Sequence, residues 1–326
     1  MATTAGNVMQ DYLGRQAAEL RRHARGIPAG QAEEIHQMRV AARRLRSLLA
    51  SGRPLFEDGA VEQVRAELRW LSAVLGAARD PAVVQERLRA LLAREPESLR
   101  WSVETAARRI DEDLNAAAAA GRAGAAEALA GPRYARLLTA LDALVTAPPL
   151  APKAGGPAGR LLHGLVLRDE RRLAKAVAAL DSAATAGPGS AARNTALHTV
   201  RKAAKRLRYS AELAAEPAAA ALAPGGQPAG TTTVGKLPAK GKSARRRRHA
   251  KRAAKSARKI QLVLGQHQDS VVARARLADL AVQAASRGEN SFAYGRLHAR
   301  EEQEAAAAEQ AFRKLWRKAR RTKATA

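Results

Sequence analysis

Two segments of this sequence carry the side chains best suited to chemistry: His36-Gln-Met-Arg39-Val-Ala-Ala-Arg43-Arg44-Leu45-Arg46 and His198-Thr-Val-Arg201-Lys202-Ala-Ala-Lys205-Arg206-Leu207-Arg208. On a helix, where successive residues turn by about 100°, His36, Arg39, Arg43 and Arg46 share a stripe about 80° wide. Met38, Ala41, Ala42, Leu45, Leu48 and Leu49 take the opposite side and are expected to be buried. In the second copy His198, Arg201, Lys205 and Arg208 form the stripe, over an apolar face of Val200, Ala203, Ala204, Leu207 and Ala211. Like charges four residues apart repel by a few tenths of a kcal/mol per pair, so such a row calls for an anion outside the helix. Guanidinium forks match phosphate oxygens in pairs and lysine adds a compact charge, so a line of phosphates suits the row. A third row, Arg168, Arg171, Arg172 and Lys175, has the same helical spacing and is expected to face the same space.

The two histidines head their stripes. Each is either a phosphate contact that gains charge as pH falls or a structural hydrogen-bonding residue, and the sequence leaves both open. Neither helix offers the His-x-x-x-His pair that places two metal ligands on one face, so no metal site is expected. No Ser, His and acid set or paired catalytic carboxylates stand out, so the reading is a binding protein with no catalytic residues and no cofactor. Gly230-Thr-Thr-Thr-Val-Gly235-Lys236-Leu237 approaches a phosphate-binding P-loop. It has Leu237 where Ser or Thr must hold magnesium, and no strand precedes it, so it is set aside. The absence of cysteine excludes disulfides, thiolate metal sites and a thiol nucleophile.

Lys and Arg number 57 against 30 Asp and Glu, a formal net charge of +27 that self-repels unless counterions or a polyanion neutralise it. An inorganic polyanion, nucleic acid or an anionic membrane surface would each answer that charge. Residues 1–30 lack the features of a secretory signal, and no window approaches the roughly 18 consecutive apolar residues of a membrane span. The expected location is cytoplasmic, with no membrane partner.

The elements that must position these side chains are helices. The 46% hydrophobic fraction is rich in Ala and Leu, with only 3% aromatic, and amphipathic helical patterns run through almost the whole chain. Breaks fall at 26–30, 52–54, 147–159 and 187–190, and the longest is Pro217–Ser243, whose composition cannot bury a core. A basic run from Arg245 to Lys259 follows it. The two His segments are an internal repeat 162 residues apart. A second matched pair follows, Leu75-Gly76 with Arg79-Asp80 and Leu264-Gly265 with Gln268-Asp269. His and Asp are separated by 44 residues in the first half and 71 in the second, and the difference equals the 27 residues of the low-complexity stretch. That stretch reads as an insertion, at about 217–250. Upstream, Arg15 and Leu20 align with Arg168 and Leu173. The expected fold is all-α: two related bundles of four or five helices, 1–150 and 151–326, with approximate two-fold symmetry. Asp80-Pro81 is expected to start a helix, Asp as N-cap and Pro in the first turn.

With both repeats in view, the sequence resembles the CHAD family, the conserved histidine alpha-helical domain. The resemblance rests on His36, Arg39, Val40, Arg43, Arg44, Leu45 and Arg46, then on His198 to Arg208 with Tyr209 and Glu212. Leu264-Gly265-Gln-His-Gln-Asp269 and Arg79-Asp80 complete it. It implies antiparallel helical bundles around a basic cavity or channel, binding of inorganic polyphosphate without chemistry on it, and location at polyphosphate granules. The anion contacts it implies are the His, Arg and Lys positions of the two matched helices. A fused triphosphate-tunnel domain, present in some relatives, is not expected, and neither is hydrolysis. The rival reading is a nucleic-acid-binding protein using backbone electrostatics, with the basic insertion as a second, less selective anion site. Binders of single strands commonly stack bases on aromatics. Here the three Trp, four Tyr and three Phe all lie outside the basic stripes, with Tyr209 at one edge.

Overall fold

Segments dominated by Ala, Leu, Arg and Glu, with few β-branched residues, favour helix over strand. A computed structural model describes residues 3–27, 31–182, 187, 189–216 and 241–324. The described residues form α1 (Ala5–Ala24), α2 (Ala32–Gly52), α3 (Glu62–Leu92), α4 (Arg100–Ala130) and α5 (Pro132–Thr146) in the first half. The second half holds α6 (Ala158–Ser182), α7 (Ala191–Ala215), α8 (Lys242–Ser286) and α9 (Phe292–Ala324). The all-helical class is therefore as expected, and no strand occurs among the described residues.

Local chemistry sets the helix starts and stops. The Thr4 hydroxyl accepts from the Asn7 amide at 3.1 Å and the Ser190 hydroxyl from the Arg193 amide at 3.3 Å, capping α1 and α7. Three breaks were not anticipated, between α3 and α4, α4 and α5, and α8 and α9. Their signals are short: Pro96, Gly131-Pro132, and Gly288, whose φ of +70° suits glycine after a helix end.

Asp80-Pro81 does not start a helix. Both lie inside α3, which runs on to Leu92. Pro81 has no N–H for the Ala77 carbonyl, and a proline inside a helix ordinarily costs about 3 kcal/mol. Gly121 of α4 packs on that carbonyl so closely that a Cβ there would stand 2.2 Å from its oxygen. Asp80 is instead spent on Arg39, as described below. The stretch 217–240, including the P-loop-like Gly230–Leu237, lies outside the described residues. Lys242–Ala250, which the sequence placed in the insertion, form the first turns of α8.

Three apolar cores hold the helices. The first joins α1, α2, α3 and α5 with Leu162 and Leu165 of α6, and the second joins α6, α7, α8 and Phe312 of α9. The third crosses the halves: Leu88 of α3 and Ile110 of α4 pack with Leu277 of α8 and Leu297 of α9, all four fully buried. Burying one such side chain contributes about 1.5–3 kcal/mol. α2 packs against α7, which brings the two basic segments side by side.

Candidate functional site

The apolar faces of α2 and α7 are buried as the periodicity requires, with Met38, Leu45, Leu48, Val200, Ala204 and Leu207 at most 4% exposed. The basic stripes then meet along the seam. Arg43 Nε donates to Tyr209 Oη across it at 3.1 Å. Lys205 is the focus: its ammonium is pushed down to about 7, first by burial and then by Arg201, Arg43, Arg39 and Arg46. Four guanidiniums from two helices therefore act on one lysine. Burial also lowers the Arg201 pKa, with Arg43 and Arg39 adding to it and Asp269 opposing.

The second sequence motif explains how these arginines are held. Gly76 and Asp80 lie one turn apart on α3, as do Gly265 and Asp269 on α8. Arg39 pairs with Asp80 and crosses Gly76, where a Cβ would stand 3.6 Å from Arg39 Nη1. Arg201 crosses Gly265 likewise, with its Nη2 3.5 Å from a Cβ there, and feels the Asp269 carboxylate, which burial keeps above the ordinary aspartate pKa. Glycine lets the arginine lie close to the helix and aspartate offsets its charge.

His198 Nδ1 lies 2.5 Å from Gln268 Oε1. An amide oxygen only accepts, so Nδ1 carries the hydrogen and Nε2 is the nitrogen that titrates. Burial lowers the His198 pKa and Lys202, Arg201 and Lys205 lower it further, against the Gln268 bond. His36 is lowered by burial and by Arg79, Arg43 and Arg39, against Glu33. Both imidazoles are thus biased to neutrality until negative charge arrives.

The basic row extends beyond the seam. Arg46 is depressed by burial and by Arg69, Arg43 and Arg65. Arg206 is pushed down to about 10 by burial, then by Arg172, Arg65 and Arg168, with Asp169 opposing. Asp169, fully buried, accepts from Ser51 Oγ at 2.7 Å and pairs with Arg172 at 2.5 Å, while Arg168 donates to the Ser51 carbonyl. Arg168 and Asp169 therefore tie α6 to α2, while Arg172 pairs within α6. Arg171, Lys175 and Lys202 are exposed. Arg44 lies beside Tyr12 of α1. Arg208 is engaged by Glu212 at 2.6 Å and Gln261 at 3.2 Å, and stacks 5.4 Å from the Tyr209 ring centre.

The site thus brings together Arg39, Arg43, Arg46, Arg201, Lys205 and Arg206, with His36 and His198 near its cations. Sequence reasoning missed Arg65 and Arg69, whose one-turn spacing on α3 was the available signal, and the holding roles of Asp80, Gln268 and Asp269. The Nε atoms of Arg65, Arg79, Arg168, Arg201 and Arg206 are buried without a protein partner, a condition costing about 1–3 kcal/mol per group. Anion oxygens are the acceptors such donors need. Among the described residues no three His, Asp or Glu side chains are placed to hold a metal, and no helix is long and apolar enough to cross a membrane.

The CHAD domain family model matches residues 11–224, a span that contains both basic helices. The chain belongs to the CHAD domain family. Over 292 residues, 89% of this chain, it is 34% identical to Uncharacterized protein MT2285 and Uncharacterized protein Rv2226, from the CDC 1551 / Oshkosh and H37Rv strains of Mycobacterium tuberculosis. The chain spans about half (48%) of the length of those relatives. Among solved structures, the CHAD domain from the plant Ricinus communis matches with a TM-score of 0.66 at 26% identity, covering 96% of this chain and 92% of that one. PptA from Streptomyces chartreusis matches with a TM-score of 0.74, covering 97% and 100%, and at 24% identity it shows the fold alone. These matches carry the CHAD fold past residue 224 into α8, where Gln268 and Asp269 reside, and into α9.

Proposed function

We propose that this chain binds inorganic polyphosphate, without chemical change to it, in the seam between α2 and α7, and that it does so in the cytoplasm at polyphosphate granules. The observation that carries the reading is the convergence of Arg39, Arg43, Arg46 and Arg201 on Lys205. A surface row of cations would be solvated one by one. These are partly buried and mutually repulsive, and a chain of closely spaced phosphates relieves that repulsion while filling several forks at once. The net charge of +27 and the family resemblance agree with a polyanionic ligand. Arg65, Arg69, Arg206, Arg172 and Arg168 continue the track, so the ligand is an extended anion.

The test is competition at near-physiological salt: labelled long-chain polyphosphate displaced by unlabelled polyphosphate, duplex DNA or RNA at equal phosphate concentration. Polyphosphate is expected to compete at least tenfold better, a difference of about 1.4 kcal/mol. Equal competition by nucleic acid would transfer the proposal to a general backbone binder.

A further inference from the structure

A second concavity of about 910 Å³ opens between α6, α8 and the end of α9, and no cation of the α2–α7 seam lines it. Its wall is apolar, made by Leu173, Leu207 and Ile260, all buried, with Trp316. Its rim is cationic: Lys242, Arg245, Arg246 and Arg252 from α8 and Arg320 from α9. The basic run that followed the low-complexity stretch in sequence thus becomes one edge of a lined groove.

Two histidines supply the third element. His163 and His249 meet edge to face, 5.1 Å between ring centres, and His249 Nε2 lies 3.4 Å from Glu170 Oε1. The Nδ1 atoms of both histidines are buried and bonded to no protein atom. Burial, His249 and Arg246 keep His163 below the ordinary histidine pKa, so its ring is available as a neutral donor and acceptor.

These three elements select a ligand class. A bare phosphate chain has no use for an apolar wall with an indole. An acyl tail would fill the wall but offer the His163 imidazole no hydrogen-bond partner. A nucleobase does both, because its face stacks on aromatic and aliphatic groups and its edge offers donors and acceptors. Phosphates attached to it would reach the cationic rim, and the volume lies within the range of small-molecule sites. We propose that this groove binds a nucleoside polyphosphate, with the base against Trp316 and the His163 ring and the phosphates on the α8 and α9 cations.

The experiment uses ATP and inorganic tripolyphosphate as probes on the full chain, with binding read by equilibrium dialysis and by tryptophan emission. Arg43→Ala/Arg201→Ala serves as background, so that the seam does not contribute. ATP is expected to bind at least tenfold tighter than tripolyphosphate and to quench emission. Trp316→Leu and Arg246→Gln should each weaken ATP at least fivefold, Trp316→Phe should restore most of it, and affinity for long-chain polyphosphate in the parent should be unchanged by all three. Equal binding of ATP and tripolyphosphate, or ATP binding indifferent to Trp316→Leu and Arg246→Gln, would overturn the proposal. Either result leaves the reading of the seam standing or falling on its own competition experiment.

Discussion

The two copies of the basic helix place histidine and cations at the same positions and treat them differently. In α2, Arg39 is ion-paired to Asp80, and Arg79 lies near His36. In α7, Arg201 has a buried, unpartnered Nε and a more distant carboxylate, while Gln268, the counterpart of Arg79, holds His198. The most depressed cation, Lys205, is also on α7. The repeat therefore preserves placement while the neighbours set the charge state. The first copy is partly neutralised from within, and the second depends more on what binds it.

That contrast can be broken most forcefully by emptying both stripes. Replacing Arg39, Arg43, Arg201 and Lys205 together with Ala should abolish tight polyphosphate binding while circular dichroism shows unchanged helical content. Unchanged affinity in the folded variant would reject the site assignment. Next in size, Arg201→Ala should weaken binding tenfold or more and Arg39→Ala only severalfold, because Asp80 already offsets Arg39. Asp80→Asn should then strengthen binding about twofold to fivefold, and a weakening would show that Asp80 matters for posture rather than charge.

Lys205 gives the comparison a pH axis. It faces Arg39, Arg43 and Arg46 of α2, Arg201 of its own helix and Asp269 of α8. Free, it releases its proton near 7, and a bound polyanion raises that value. Its contribution to affinity is thus complete below pH 7 and lost as pH rises above it, by up to tenfold per unit. Lys205→Met should flatten the profile. Stability runs the opposite way: the folded pKa lies below the unfolded one, so the charged lysine opposes folding below pH 7 and less so as pH rises toward 10. Lys205→Met should therefore raise the Tm of the anion-free protein by a few degrees, read by thermal denaturation, while weakening binding. A smaller effect is expected at Gln268→Ala, which frees the His198 ring and should cost about twofold to fivefold. Arg208→Ala, with its guanidinium already on Glu212 and Gln261, should leave affinity unchanged within twofold.

Much of this was legible in the residues. The 3.6-residue period marked the buried faces of α2 and α7 position by position, and the Pro- and Gly-rich break at 147–159 fell between α5 and α6. The repeat picked out the two basic helices as a pair but left open whether they face one cavity or two. It could not show which members of each stripe stay exposed or paired, because partners such as Gln261 for Arg208 and Asp80 for Arg39 depend on packing at a distance. Asp80-Pro81 misled for the same reason: its local preference for a helix start is overridden by α4, which packs Gly121 on the carbonyl that Pro81 leaves unbonded. The groove beside Trp316 was invisible because α9 brings that indole to α8 from about 60 residues farther along the chain.

The central claim is that α2 and α7 form one polyphosphate site, and calorimetric titration of long-chain polyphosphate into the parent, Arg43→Ala and Arg201→Ala proteins tests it most directly. A single isotherm that shifts as a whole to weaker affinity in both variants is the expected result. A biphasic isotherm in which each substitution removes one phase and leaves the other untouched would mean two independent sites, and would contradict it.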